Sequence, residues 1–374
     1  MADSRAHPSR LAPARSEPAI ELGRGLRGAW QGPTSRYGQY LRLTPRRLLN
    51  YLLVHLEMRL GRARLLSRPY ELCIDVSSSC NLRCPFCATG RRLEGMRSGN
   101  VPFEIFSSII DDLGPYAFRL ELFNKGEPFF NSDLPRLIAY AARKRLVTYI
   151  SSNLSFRLRE DYIRSIITSG LTHLTAAVDG TDQESYEIYR RGGKFDLVMD
   201  NLRTFVRLRR EMNSQFPRLC WQYLIFAHNE DRVEEAKRLA REIGLDDFSA
   251  KGGLYDDPSW APKGTGYSFQ YLANHPNRCS WLWTKAVFHS DGGLAACCMG
   301  MFKHEDFAEW KVGTFGTLWN NEKFLAARRI WTEPKSPLPE GHFCTSCDKV
   351  RLYRQQPLHS PMTAGTGFEY PAAG

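Results

Sequence analysis

From Pro69 to about Lys251, short apolar runs alternate with amphipathic stretches, and this alternation predicts the elements. The apolar runs predict strands over Glu71–Val76, Phe118–Phe123, Leu146–Ile150, His173–Val178, Leu219–Phe226 and Phe248–Lys251. Helical stretches fit between them. The clearest are Leu134–Arg145, Asp182–Arg190, Phe195–Glu211 and Glu230–Ile243, the last stopped by Gly244. Thr181 followed by Glu184 reads as a capping box for the second of these. Repeated strand–helix units imply parallel pairing in an α/β barrel or open sheet. Six strands are too few to close an eight-stranded barrel, so the expected fold over residues 69–254 is a partial (β/α)6 barrel of the TIM type.

The flanks follow other patterns. Residues 1–40 are rich in Pro, Gly, Ser, Ala and Arg without periodicity and read as disordered. Over residues 41–66, Leu48, Leu49, Leu52, Leu53, Leu56 and Leu60 recur at helical spacing with Arg46, Arg47, Arg59, Arg62 and Arg64 between them. Such a helix either packs its leucines on the body or lies on an anionic membrane surface or a partner, and the first arrangement is the default expectation. A Pro- and Gly-bearing stretch, clearest at Tyr255–Tyr267, predicts a linker over residues 255–275. A small Cys-bearing α+β module is expected over residues 276–353, and a Pro/Gly-rich tail over 354–374.

Composition narrows the class. With 43% apolar and 24% charged residues in 374, the chain is that of an ordinary soluble globular protein. No apolar run is long enough to span a bilayer as a helix. The net charge of +11 is concentrated in residues 1–68, which hold 13 Arg, no Lys and four acids, a net +9. The remainder carries only +2, which argues against a nucleic-acid-binding body. Asp3, Glu17 and Glu21 weigh against a transit peptide. Ten Cys cluster at metal-type spacings and no secretory signal opens the chain, so a reducing, cytoplasmic location is expected.

The strongest local signal is Cys80-Asn81-Leu82-Arg83-Cys84-Pro85-Phe86-Cys87. Three thiolates in eight residues can converge on one centre from a single loop. Structural zinc usually takes four ligands, whereas an iron–sulfur cube can leave one iron for a small molecule. A zinc loop with a distant fourth ligand is the plainer alternative. The triplet, set just after the first strand, resembles that of the radical S-adenosylmethionine (radical SAM) enzymes. The resemblance implies that Cys80, Cys84 and Cys87 hold a [4Fe-4S] cluster whose open iron chelates S-adenosylmethionine. Reductive cleavage would then yield a 5′-deoxyadenosyl radical that abstracts a substrate hydrogen. Phe86 matches the family's aromatic residue, which packs near the adenine.

Further segments match in order. Gly126-Glu127-Pro128 is similar to the motif that holds the ligand's amino group, and Ser151-Ser152-Asn153 to the ribose-contacting segment. Ala177-Val178-Asp179-Gly180 corresponds to a segment in which the family usually has a hydroxyl where Ala177 stands. Tyr186-Glu187-Ile188-Tyr189-Arg190 matches the helix whose Arg pairs with the ligand carboxylate, a role that falls to Arg190, or less well to Arg191.

The second cluster comprises Cys279, the Cys297-Cys298 pair, Cys344 and Cys347. By spacing alone it is a zinc ribbon or an iron–sulfur site. The intervening text, from Trp281-x-Trp283 through Ser290-Asp291-Gly292-Gly293 to Leu318-Trp319-Asn320, resembles the C-terminal SPASM/twitch extension of radical SAM enzymes. The Cys count favours a twitch-like module with one auxiliary [4Fe-4S] cluster, ligated by Cys279, Cys297, Cys344 and Cys347, with Cys298 able to replace Cys297.

That resemblance implies several reactions. One is oxidation of an alcohol carbon of a sugar, cyclitol or aminoglycoside-type metabolite, with the auxiliary cluster accepting an electron. Another is redox-neutral epimerisation with Cys298 returning hydrogen, although the plainer reading buries Cys298 in the module's core. Peptide maturation is a third. Flavodoxin or ferredoxin is the reductant expected from the family. A zinc-binding scaffold or nucleic-acid protein is the non-enzyme alternative.

Overall fold

The computed structural model describes residues 43–263, 279–333 and 335–354. The expected disordered arm, most of the tail and the later part of the linker lie outside the described residues. The first described element is helix α1 (Pro45–Arg59), begun by Thr44, whose Oγ1 accepts from the Arg47 amide, and by Pro45 at the first helical position.

Six strands then alternate with helices. They are β1 (Glu71–Ile74), β2 (Arg119–Glu121), β3 (Val147–Ser152), β4 (His173–Ala177), β5 (Arg218–Ile225) and β6 (Asp247–Gly252). The helices between them are α2 (Phe103–Leu113), α3 (Leu134–Arg143), α4 (Glu160–Thr168), α5 (Gln183–Tyr189), α6 (Phe195–Glu211) and α7 (Val233–Ile243). Each buries one apolar stripe against the sheet; in α2 it is Phe106, Ile109, Ile110 and Leu113. Helix α7 ends where Gly244 adopts φ +89°. The capping box of α5 belongs to Asp182 and Ser185 rather than to Thr181 and Glu184. Asp182 Oδ1 accepts from the Ser185 amide at 2.8 Å, and Ser185 Oγ accepts from the Asp182 amide at 3.3 Å.

All six strands pair in parallel, as the strand–helix repeat predicts, and the hydrogen-bonding order β6-β5-β4-β3-β2-β1 leaves the barrel open. The sheet does not stop at β1. Strand β7 (Lys285–Phe288), from the Cys-rich module, pairs in parallel with β1, and β8 (Gly293–Ala295) and β9 (Ala308–Glu309) extend it antiparallel into one nine-stranded sheet. Glu71, Arg119 and Lys285 share one register row, Arg119 and Lys285 each pairing with Glu71 across a strand boundary. The Lys285 ammonium sits 3.2 Å from a Glu71 carboxylate oxygen and 3.0 Å from one of Glu121. A buried ion cluster thus fixes the module's first strand to the barrel. Helices α8 (Glu322–Thr332) and α9 (Asp348–Arg354) complete the module.

Helix α1 corrects the default expectation for the leucines. Its buried residues are Arg47, Asn50, Val54 and Glu57, while Leu48, Leu49, Leu52 and Leu56 are exposed and Leu53 is half-buried. The buried polar groups are satisfied by backbone. Arg47 donates to the carbonyls of Gly114, Lys144 and Arg145. Asn50 bridges the amide and carbonyl of Arg68, and Glu57 accepts from the amides of Leu66 and Ser67. The expected linker also does more than connect: at its start, the turn Pro258–Trp260 packs Trp260 edge-on to Phe86, with centroids 4.9 Å apart.

Candidate active site

The Cys80–Cys87 loop leaves the C-terminal end of β1, where parallel α/β barrels gather their ligand sites. Cys84 is buried in an apolar cluster with Leu82, Tyr189 and Phe226, against which Cys80, Cys87, Phe86, Leu224 and Trp260 pack. Burial pushes the Cys80 thiol up to about 12, and that of Cys84 to about 11, the Arg190 guanidinium opposing the shift at Cys84. Thiolates in such a pocket call for a cationic centre, so the donor set fits a metal cluster. Among the described residues no three His, Cys, Asp or Glu side chains converge on a position for a single ion.

Close backbone packing holds the loop in place. A Cβ on Gly126 would lie 2.1 Å from the Ser77 carbonyl oxygen and 2.6 Å from that of Ser79, so only glycine lets the β2 exit approach the cysteine loop. The Glu127 amide donates to the Ser79 carbonyl at 2.7 Å. A Cβ on Gly90 would likewise lie 2.6 Å from the Cys84 amide nitrogen, so the short helix Ala88–Arg91 sits directly on the cluster loop.

The residues singled out beyond the cysteines form a connected network around the loop. Glu127 is buried, its carboxylate accepting from the amides of Asn153 at 2.8 Å and Phe129 at 3.3 Å, and burial raises its pKa to about 7. Asn153 donates to Asn81 at 3.0 Å and reaches the Cys80 sulfur at 3.7 Å. Ser152 turns its hydroxyl to the Leu154 amide at 3.0 Å, and Pro128 opens the turn that Glu127 caps. Asp179 is fully buried. It accepts from Arg190 at 2.6 Å and from the Leu224 amide at 2.7 Å, so both carboxylate oxygens are engaged within the protein. Arg190 extends an Nη to within 4.0 Å of the Cys84 sulfur. Asp179 therefore orients Arg190, and Arg190 carries positive charge to the edge of the cysteine pocket.

In the module, burial raises the Cys297 thiol, and so do the neighbouring thiols, Cys298 first and then Cys279 and Cys344; Cys344 is raised by burial and then by Cys279 and Cys347. Cys298 faces elsewhere: its charged surroundings are Lys125, Lys285 and Glu121, and Lys125 Nζ donates to its carbonyl at 2.5 Å. Cys297 thus has other thiols for charged neighbours, whereas Cys298 turns toward Lys125.

A polar seam joins the two sites, and sequence reasoning left most of it aside. Ser78 donates to Asp75 at 2.7 Å and shares a 2.8 Å hydrogen bond with Ser290, linking the exits of β1 and β7. The Lys125 amide donates to Asp75 at 3.2 Å. Behind it lies a buried group of Arg97, Asp306 and His289, with Asp291 at its edge; Arg97 pairs with both aspartates and His289 lies 3.5 Å from Asp306. Burial lowers His289 to about 3 and raises Asp306 to about 6, so His289 is neutral at physiological pH. The Ser290-Asp291-Gly292-Gly293 run was the available signal; nothing local singles out Arg97 or Asp306.

Comparison with known proteins agrees with this geometry. Residues 74–217 match the family model described as the Radical SAM superfamily. The Fe-coproporphyrin III synthase of Methanosarcina barkeri is 27% identical over 201 residues, covering 46% of this chain and 50% of its own. The PqqA peptide cyclase of Granulibacter bethesdensis is 27% identical over 177 residues, 47% of this chain and 45% of its own. The chain therefore spans about half the length of these curated relatives. The S-adenosylmethionine-bound structure of Streptococcus suis SuiB has the same fold, with a TM-score of 0.58 at 15% identity, covering 89% of this chain and 81% of that one.

Proposed function

The chain carries a radical SAM domain over residues 74–217, and from that premise we propose an oxidoreductase that removes hydrogen from an alcohol carbon of a polar, sugar- or cyclitol-like metabolite. Cys80, Cys84 and Cys87 would hold the [4Fe-4S] cluster that, with S-adenosylmethionine bound, supplies the hydrogen-abstracting radical. Cys279, Cys297, Cys344 and Cys347 would hold the auxiliary cluster and leave it no open position for substrate, as suits an electron acceptor. A flavodoxin or ferredoxin would serve as reductant.

The chain's own residues divide the remaining work. Arg190, held by Asp179, presents its charge to the ligand carboxylate, and Glu127 accepts from the amino group. Phe86, in its cage of Tyr189, Phe226 and Trp260, offers an apolar wall for the adenine and excludes water. Lys125, whose ammonium reaches the Cys298 carbonyl, can also hydrogen-bond a substrate hydroxyl.

The observation that supports this reading is the difference in surroundings between Cys297, near Cys279 and Cys344, and Cys298, near Lys125 and Lys285. That difference also supports a second reading. Cys298, beside Lys125, would in that reading return hydrogen to a substrate radical, which would make the enzyme an epimerase. The names of the relatives keep a peptide substrate in view as well. The deciding experiment is turnover in deuterated water with candidate polyols. A ketone with one equivalent of 5′-deoxyadenosine supports oxidation. One deuterium on carbon, abolished by Cys298→Ala, supports epimerisation. Turnover with peptides alone refutes both.

A further inference from the structure

Helix α1 is attached to the protein by its polar side. Arg47, Asn50 and Glu57 are buried and bonded to backbone groups at Gly114, Lys144, Arg145, Arg68, Leu66 and Ser67. At 100° per residue these positions lie diametrically across the helix from Leu48, Leu49, Leu52 and Leu56. Those leucines are exposed by 47%, 67%, 55% and 53%, and Leu60, just past the helix, by 62%. This leucine ridge, about 18 Å long from Leu48 to Leu60, stays exposed on the face turned away from the body.

The surroundings of the ridge say what it fits. Arg59, Arg62 and Arg64 are exposed beside it, while the single acid of residues 43–66, Glu57, is turned inward. The outward surface of this stretch therefore carries arginines and no carboxylate, within a segment of net +9 attached to a body of net +2. Leucines on one face with flanking cations match the headgroup–acyl boundary of an anionic bilayer. A second copy of the chain fits poorly, because a two-fold interface through this ridge would set the same arginines against one another.

We propose that the leucine ridge of α1 seats the protein on the surface of an anionic phospholipid bilayer, the helix lying in the plane of the interface. No helix of the described residues is long and apolar enough to cross a membrane, so the attachment is peripheral. Its orientation follows from the fold. The backbone that α1 grips precedes β1, β2 and β3, whereas Cys80, Glu127 and Asn153 follow the ends of those same strands. The ridge and the cysteine pocket therefore lie at opposite ends of the barrel. Docked this way, the mouth faces the aqueous phase and takes its substrate from solution.

The test is co-sedimentation of the full-length, cluster-loaded protein with vesicles of phosphatidylcholine alone or containing one quarter phosphatidylglycerol. The proposal predicts binding to the anionic vesicles, at least about tenfold weaker binding to the neutral ones, and release by high salt. A Leu49→Glu/Leu52→Glu/Leu56→Glu variant should bind at least about tenfold more weakly while keeping wild-type circular dichroism and iron content. Absence of binding to anionic vesicles, equal binding to both kinds, or undiminished binding by the folded variant overturns the proposal. A wild-type dimer that this variant converts to monomer overturns it in favour of self-association. The lipid and salt dependence of the wild-type protein tests the claim independently of any variant.

Discussion

Replacing Lys285 by Met probes the joint between the module and the barrel. The substitution keeps an unbranched apolar side chain, one atom shorter, but removes the charge that Glu71 and Glu121 share. Their side chains are 25% and 11% exposed, so water can only partly take the ammonium's place. Breaking a buried ion pair by removing one partner costs roughly 3–5 kcal/mol. Here Arg119 still holds Glu121 at 3.0 Å, which puts the expected loss near the lower end, about 3 kcal/mol. Urea unfolding of the cluster-loaded protein, followed by tryptophan fluorescence, measures it. Removing the negative partner as well, in Lys285→Met/Glu121→Gln, should recover part of the loss. The pH dependence supplies a second readout. The two glutamates raise the Lys285 pKa above its ordinary 10.5 despite burial. Its contribution is thus fully present below about 10.5 and is lost as the pH climbs through the raised value. The wild-type protein should show that alkaline loss and the Met variant should lack it. A cost below about 1 kcal/mol, with an unchanged alkaline limb, would refute the assigned role of the ion cluster.

Other consequences are equally direct. Gly126→Ala forces a Cβ to 2.1 Å from the Ser77 carbonyl oxygen, so it should lower the iron content of the first site while the module keeps its own; full loading would contradict the packing argument. Cys297→Ala should lose about four irons and Cys298→Ala none, measured by iron assay after anaerobic reconstitution, and the reverse pattern would exchange their roles. Asp179→Asn should weaken S-adenosylmethionine binding without unloading the cluster, because it releases Arg190 from its 2.6 Å anchor; calorimetric titration reads the affinity, and an unchanged value would free Arg190 from its proposed task.

What the sequence reveals and what it conceals differ in range. The cysteine triplet, Gly126-Glu127-Pro128 and Arg190 are legible because each is a local pattern fixed to a strand end by the strand–helix rhythm. Strand β7 is not, since its partner β1 lies some two hundred residues away and its four residues, Lys-Ala-Val-Phe, have no periodicity to mark them as barrel strand. The orientation of α1 is concealed for another reason. A helical repeat of leucines defines an apolar face but not which way it points, and here three polar side chains find backbone partners that draw the opposite face inward. The same limit applies to Cys297 and Cys298: adjacency shows that the two diverge, while which one faces Lys125 depends on how the hairpin β7–β8 lies against the barrel. The group of Arg97, His289 and Asp306 is assembled from three segments and has no single signature.

The central claim is that Cys80, Cys84 and Cys87 together carry a cluster that cleaves S-adenosylmethionine, and single Ala variants of these three test it most directly. After anaerobic reconstitution and chemical reduction, the wild-type protein should convert S-adenosylmethionine to 5′-deoxyadenosine and methionine. Each variant should lose about four irons and all cleavage while keeping the absorbance of the auxiliary cluster. A variant that still turns over S-adenosylmethionine, or a wild-type protein that binds zinc in place of iron and never cleaves it, would contradict the account.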